Sequence, residues 1–291
     1  MKRAPAVVFL PNYEFADYYR WDRGNLGIVA ETKDMLPSKY ARAALQQGLA
    51  WEANLGVSPY KFGSTGSTDS HTSLATIKEA HFFGKASGLE PGTGDARYRT
   101  AITQQFTKGE SLEEFGYDGL LSGLVGVWPH SNTRKELFAA MARREAFGTT
   151  VTRMRLRMFG GWEFSKTDLT RPDLSRTGCG KDVLHEKVCN VAWSGKRKPG
   201  RGGKLPTVGN TVKGADYSNS IGAAILSAYW QDSNFKAGAR AFYYARLLEI
   251  PTPSWIAYDM ATFKIAKSAP NAVMVQKERA YSSPIWYDPK G

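Results

Sequence analysis

Apolar residues fall at helical spacing through much of the first 150 positions, then alternate or cluster in short runs through the rest. In PSKYARAALQQGLAWEANLG, residues 37–56, Leu45, Leu49 and Leu55 lie near the helical period, with Pro37 at the entrance and Gly56 as the stop. The segment VSPYKFGSTGS that follows reads as a strand running into a loop. TSLATIKEAHFFGK, residues 72–85, predicts a second helix, with Thr76 and Glu79 at capping-box spacing. GLLSGLVGVW, residues 119–128, ends in an apolar run suited to a buried strand. A third helix is predicted in NTRKELFAAMARREAFG, where Thr133 and Glu136 form a capping box and Leu137, Phe138 and Met141 share a face. Arg143 and Arg144 suit its last turn and Gly148 its close. Strand, helix, strand, helix is the α/β pattern.

The pattern changes near residue 150. TRMRLRMF, residues 152–159, sets Arg153, Arg155 and Arg157 against Met154, Leu156 and Met158, which predicts a half-buried strand with a basic face. VCNVAWS, IGAAILSAYWQD, ARAFYYARLLEIP and ERAYSSPIWYDP are aromatic and β-branched runs parted by Gly, Pro, Asn and Asp, a β-rich signature. Residues 219–231 fit a short helix equally well. The expected organisation is therefore α/β over 1–150 and β-rich over 151–291, with a loop-rich stretch around 165–216.

Composition adds bounds rather than a function. The 291 residues are enough for one large domain or two modest ones, and 42% hydrophobic with 23% charged residues is ordinary for a soluble globular protein. No apolar run approaches a membrane span, so no membrane partner is expected. The apolar stretch Ala6 to Leu10 is too brief for a secretory signal, and the chain as written is expected not to be exported. Cys179 and Cys189 sit in no C-x-x-C or C-x-x-H setting and read as bystander thiols, with pairing in an oxidising compartment as the alternative.

The net charge of +12 permits attraction to nucleic acid, anionic membranes or small anions, but chooses none of them. Its densest patch is SGKRKPGRGGKLP, residues 194–206, where Lys196, Arg197, Lys198, Arg201 and Lys204 alternate with Gly and Pro. That composition is a loop. No aromatic residue interrupts it to offer a stacking platform, so a solvated loop is favoured over nucleic-acid binding.

Three constellations carry candidate chemistry. In GSTGSTDSHTS, Asp69 and His71 stand two apart, so on an extended segment both side chains point the same way and face one hard divalent ion. If the run before them is a barrel strand, they sit where such folds collect catalytic groups. The plainer reading is an aspartate that caps the next helix beside a histidine that packs. In VWPHSNTR, His130, Asn132 and Arg134 follow another apolar run and would share the same rim, with Arg134 holding an anionic oxygen bidentately. Against that, Asn132 or Thr133 caps a helix and Arg134 is solvated. The Arg153, Arg155, Arg157 stripe fits a phosphate or sulfate groove, or simply a solvent-facing strand. Two signatures are excluded: no Gly-Lys-Ser/Thr follows GSTGST to make a P-loop, and no G-x-S-x-G elbow surrounds Ser67 or Ser70.

A longer set of runs carries a resemblance. SPYKFGSTGSTDSHTSLATIKEAHFFGK, GLVGVWPHSNTRKELFAAMARREAFGTT, RMFGGWEF, HEKVCNVAWSGKRKP, KLPTVGNTV, RAFYYARLLEIPTPSW and ERAYSSPIWY together resemble the bacterial domain-of-unknown-function family 3604, in the family's order. That family looks related to the polymerase-and-histidinol-phosphatase superfamily. The resemblance implies an α/β barrel, a dinuclear centre and hydrolysis of phosphonate, phosphate or sulfate monoesters. The implied metal is manganese, with zinc or iron as alternatives. Asp69 and His71 match the late Asp-x-His metal motif of such barrels, and Asn132, Thr133 and Arg134 match the family's Glu-Asn-Thr-Arg run.

The chain departs from the pattern at several places. The family's opening His-x-His has no counterpart, since His71, His81, His130 and His185 are all isolated. A family stretch is also missing after Trp162. His130 and Ser131 replace an acidic pair, and Val151-Thr152 replaces a Gly-Pro. The resemblance thus implies the C-terminal part of a barrel followed by the β-rich region, acting on a small anionic ester if its site is complete. The alternative is an inactive truncated homologue. Its expected partners are a missing N-terminal half or a second copy, because a partial barrel exposes strand edges and apolar faces. The chain alone should therefore self-associate, giving a broad or early peak in size-exclusion chromatography; a sharp monomer peak would count against this.

Overall fold

The first predicted helix forms as α1, Ala41–Leu55. Leu45 and Leu49 are buried along it, whereas Leu55 is exposed at the end. Gly56 stops the helix in the left-handed conformation, φ 76°, and donates its N–H to the Glu52 carbonyl. The computed structural model describes residues 29–35, 40–88, 90, 92, 96–121, 123–167, 189–200, 205–269 and 272–289. Expectations for Ala6 to Leu10, Pro37, Cys179, His185, Arg201 and Lys204 lie outside the described residues.

The second predicted helix does not form. Residues 72–85 contain only a single 3₁₀ turn, Glu79–His81. The hydroxyls explain why: Ser70 and Thr72 bond each other, Leu74 N–H donates to Thr72 Oγ1 and Lys78 N–H to Thr76 Oγ1, local bonds that compete with a helical backbone. Nor is the preceding VSPYKFGSTGS a strand; it runs as irregular chain.

A short α2, Ala96–Arg99, leads into an antiparallel hairpin of β1, Ala101–Gln105, and β2, Ser111–Phe115. Next come β3, Val125–Val127, in the predicted apolar run, and α3, Arg134–Ala142. Thr133 Oγ1 accepts from Glu136 N–H at 3.3 Å, so the predicted cap is present. Of the predicted α3 face, Leu137 is half-buried and Phe138 and Met141 are exposed; the buried residue is Ala140, which the prediction did not include. The helix ends at Arg143, and Gly148 belongs to β4, Ala146–Thr149.

The remaining strands are short: β5, Val212–Lys213; β6, Asp216–Tyr217; β7, Ala241–Tyr243; β8, Arg246–Leu248; and β9, Thr252–Pro253. An unanticipated helix, α4, Trp255–Phe263, follows, and then β10, Val275–Gln276; β11, Arg279–Ser282; and β12, Ile285–Tyr287. Residues 219–231 are neither helix nor strand. Residues 152–158 form no strand; Arg153 and Arg155 are exposed, but Arg157 is half-buried like Met154, Leu156 and Met158, so the predicted alternation holds only over its first half.

The largest sheet runs β3-β4-β11-β8, drawing two strands from before residue 150 and two from after it. Helices and sheets are mixed, as predicted, and no closed barrel forms among the described residues. Among the described residues every ladder is antiparallel and no sheet closes. Even where a helix lies between paired strands, as α3 does between β3 and β4 and α4 between β9 and β10, the second strand returns antiparallel, whereas a barrel of this type needs parallel crossovers.

The core centres on Trp255, 2% exposed, packed with Phe82, Tyr117, Leu121, Val151, Ile256 and Ala269. Its ring lies 5.2 Å from Phe82 and 5.0 Å under the Arg97 guanidinium, and its indole N–H donates to Gly119 O at 2.9 Å. The Glu79 carboxyl accepts from the Trp255 backbone N–H at 2.5 Å, capping the start of α4 from a segment 176 residues away. Burial, with the neighbouring Glu278 carboxyl, pushes Glu79 from its ordinary 4.5 up to about 8. Burial likewise raises Glu278 and Glu249.

A carboxyl with a raised folded-state pKa takes up a proton on folding between the two values. The contribution of Glu79 to stability is therefore full below about pH 4.5 and is lost as pH rises towards 8. Glu79→Gln keeps the cap acceptor without the charge. Thermal unfolding should show the parent losing midpoint between about pH 5 and pH 8.5, and the variant losing clearly less. Equal slopes would refute this account of Glu79.

Candidate functional site

The glycine- and hydroxyl-rich run before TDSH lies against the β3–β4 hairpin. Arg144 Nη1 donates to Lys61 O at 2.8 Å, and Ser64 N–H to Ser283 Oγ at 2.9 Å. A Cβ on Gly66 would sit 2.5 Å from Leu124 O and 2.6 Å from Thr149 O, and one on Gly148 would sit 2.7 Å from Thr65 C. Backbone meets backbone here with no room for a side chain between them. The glycines are there for this close approach, not for a phosphate.

Beyond Gly66 the chain turns. Asp69 adopts a left-handed φ of 45°, so the pair is presented by a turn and not by the predicted extended strand. His71 N–H then donates to Lys85 O at 2.9 Å, and His71 bridges to Ala86 in parallel. This brings Lys85 beside the pair, where its ammonium bonds Asp69 Oδ2 at 2.5 Å. The other carboxylate oxygen, Oδ1, faces His71 Nε2 at 3.5 Å, and both side chains are about two-thirds exposed. The hydrogen bond from Lys85 holds the Asp69 carboxyl below the usual carboxylate range, against a smaller opposing effect of partial burial.

His130, Asn132 and Arg134 are all exposed, in the loop entering α3 and on its first residue. Thr133, not Asn132, makes the cap. His130 acts electrostatically on Glu145, which Arg143 chiefly holds low, and Trp128 N–H bonds Glu145 O. Gly66 meets the opposite end of the hairpin, at Leu124 and Thr149. The loop at Gly66 and the entry to α3 thus adjoin opposite ends of β4. Arg157 lies over Trp128 at 5.0 Å and Phe159 at 4.7 Å, so it packs on aromatic rings, while Arg153 and Arg155 remain exposed.

The pair has a donor geometry suited to a metal. Two ligands about 2.0–2.2 Å from one tetrahedral ion such as zinc lie roughly 3.3–3.5 Å apart, which matches the oxygen-to-nitrogen separation of 3.5 Å; an octahedral ion such as manganese would draw the pair in to about 3 Å. The rest of a centre is not assembled: among the described residues no three His, Cys, Asp or Glu side chains are placed to hold a metal ion. Asp69 and His71 therefore fit half of a site.

The sequence reading missed Lys85, sixteen residues from Asp69, because only the bridge at His71 brings it near. It also missed the buried carboxyls. Thr150 Oγ1 donates to Glu278, and Thr152 Oγ1 to Glu249 at 2.8 Å, so both acids end on threonine hydroxyls behind the core. Cys189 is disulfide-bonded, which corrects its reading as a bystander thiol.

The chain matches the model of the family described as "Protein of unknown function (DUF3604)" over residues 4–184 and 179–289. It belongs to that family. No curated protein and no solved structure matches it. No helix among the described residues is long and apolar enough to cross a membrane.

Gly66→Ala tests the close approach. Because both obstructing atoms are backbone carbonyls, the loop or the hairpin must shift, and the cost expected for such overpacking is about 1–3 kcal/mol in denaturant unfolding. A neutral Gly66→Ala would mean that the loop is not pinned at this point.

Proposed function

We propose that the chain is a metal-dependent hydrolase acting on phosphonate, phosphate or sulfate monoesters. On this reading it contributes the C-terminal part of a polymerase-and-histidinol-phosphatase-type barrel, and Asp69 and His71 are two of its metal ligands. The observation that carries the proposal is the 3.5 Å approach of Asp69 Oδ1 to His71 Nε2 on an open surface. A divalent ion, manganese first with zinc or iron as alternatives, supplies Lewis-acid charge and acidifies a bound water. The chain's own residues orient that half-site. Lys85 occupies Asp69 Oδ2, leaving Oδ1 directed towards His71, the role that outer partners of ligating carboxylates play. The backbone bond from His71 to Lys85 fixes the spacing of the two segments. His130, Asn132 and Arg134 enter as donors for a distal part of an anionic substrate. The remaining metal ligands come from outside the described residues.

A second reading is an inactive homologue that keeps the half-site without the chemistry. It is favoured by the lack of a third ligand among the described residues. The two readings differ in metal affinity and in turnover. Nitrophenyl phosphate, phosphonate and sulfate esters should be hydrolysed in the presence of added manganese, and an Asp69→Ala, His71→Ala double variant should lose that activity. Calorimetry with manganese alone should show binding that the same variant abolishes. Folded protein with neither turnover nor binding would refute the hydrolase reading in favour of the inactive homologue.

A further inference from the structure

We propose that the outer face of α3 is a docking surface for an anionic lipid layer, with Phe138 entering the interface and Arg134 and Lys135 meeting the headgroup phosphates. The contact is peripheral, since no helix among the described residues is long and apolar enough to cross a membrane. It stands apart from the hydrolase reading, because it needs neither Asp69 nor His71.

Helical geometry gathers the parts. At roughly 100° per residue, Met141, Arg134, Phe138, Ala142 and Lys135 follow one another around a single stripe about 120° wide. All five are exposed, Phe138 at 71% and Met141 at 46%. Apolar residues scattered singly on a surface are ordinary, but here an aromatic ring, a thioether and Ala142 share one face. Glu136, the one acid of the helix, is half-buried and falls about 160° from Phe138. Ala140, 0% exposed, marks the inward side. The stripe is therefore apolar and basic, with no carboxylate in it.

Charge decides what covers it. Among the described residues neither the Arg134 nor the Lys135 side chain makes a hydrogen bond or an ion pair. Arg143 and Arg144 are not counted, since Arg143 is held by Glu145 at 3.0 Å and Arg144 by the Lys61 carbonyl at 2.8 Å. Arg134 and Lys135 also open the helix, so both stand against the positive end of its macrodipole. An anionic partner offsets that cost and a neutral one does not. A second copy docked by two-fold symmetry would bring these cations towards their own equivalents, like charge against like. A convex ridge with one large ring suits a fluid interface, which needs no preformed cleft to receive it, better than a protein partner, which does. Basic residues beside an aromatic ring are what helices lying in the headgroup layer carry, and the net charge of +12 draws the whole chain towards such a surface. With two cations and one ring the attachment is weak and reversible.

Vesicle flotation of the full chain, with chelator present, is the test. The vesicles are phosphatidylcholine alone, or phosphatidylcholine and phosphatidylglycerol in equal parts. The parent should float with the anionic vesicles and not with the neutral ones, and should be released as salt rises. Phe138→Ala should weaken binding about tenfold, through lost apolar burial. Arg134→Gln with Lys135→Gln should weaken it about tenfold or more. Lys196→Gln with Lys198→Gln removes the same charge from the exposed basic loop and should cost clearly less. All these positions are exposed, and circular dichroism should show each variant folded. The proposal is overturned if the parent ignores both vesicles or binds both alike. It is also overturned if the loop pair costs as much as the helix pair, or if Phe138→Ala binds as the parent does. Binding to polyglutamate but not to vesicles, lost in the helix pair, would overturn the lipid surface in favour of an acidic protein partner.

Discussion

Everything about the TDSH turn depends on a contact between two stretches of backbone. The chain from Lys61 to Gly66 lies so close to β4 and to Leu124 that the carbonyls of Leu124 and Thr149 occupy the place of a side chain at Gly66. Such a contact tolerates almost no lateral play, because interiors are close-packed and a carbonyl oxygen cannot rotate aside as a long side chain does. A loop seated in this way leaves the hairpin at one fixed point and in one direction. Asp69 then needs only a single left-handed residue to bring its carboxylate over His71. An exposed pair is thus oriented by buried backbone three residues earlier.

The second support of the turn comes from the core. The Glu79 carboxyl ties the 3₁₀ turn to the start of α4, and Phe82 packs on the Trp255 ring. These two contacts fix the segment that ends at Lys85 and Ala86, the partners of Asp69 and His71. The pair is therefore held between the sheet on one side and the Trp255 cluster on the other. A carboxyl that titrates near neutrality is part of that second support. The cap at α4 accepts a hydrogen bond in either protonation state, but only the charged state carries the cost of burial beside Glu278.

What could be read from the sequence was local. α1, α3 with its Thr133 cap, β3, and the strands β7, β8, β11 and β12 follow from periodicity and capping chemistry, which act within a few residues. What failed was either competition between local signals or contact across the chain. Residues 72–85 have the apolar spacing of a helix, yet Ser70, Thr72 and Thr76 turn their hydroxyls onto the backbone, and Glu79 bonds Trp255 instead of its own segment. The sheet order β3-β4-β11-β8 joins residues more than 130 positions apart, and no local pattern encodes it. The pairing of Asp69 with His71 was legible from spacing. Its mechanism was not, because a positive φ at an aspartate leaves no mark on a hydrophobic pattern. Lys85 was hidden for the same reason as the sheet.

The distribution of charge decides the character of the candidate site at the TDSH turn. At the TDSH turn a cation already sits on the carboxylate: Lys85 neutralises Asp69 and leaves an imidazole and one oxygen facing each other in solvent. An incoming metal there gains two ligands and must displace little, but two exposed ligands in a high-dielectric setting hold it weakly unless further donors arrive.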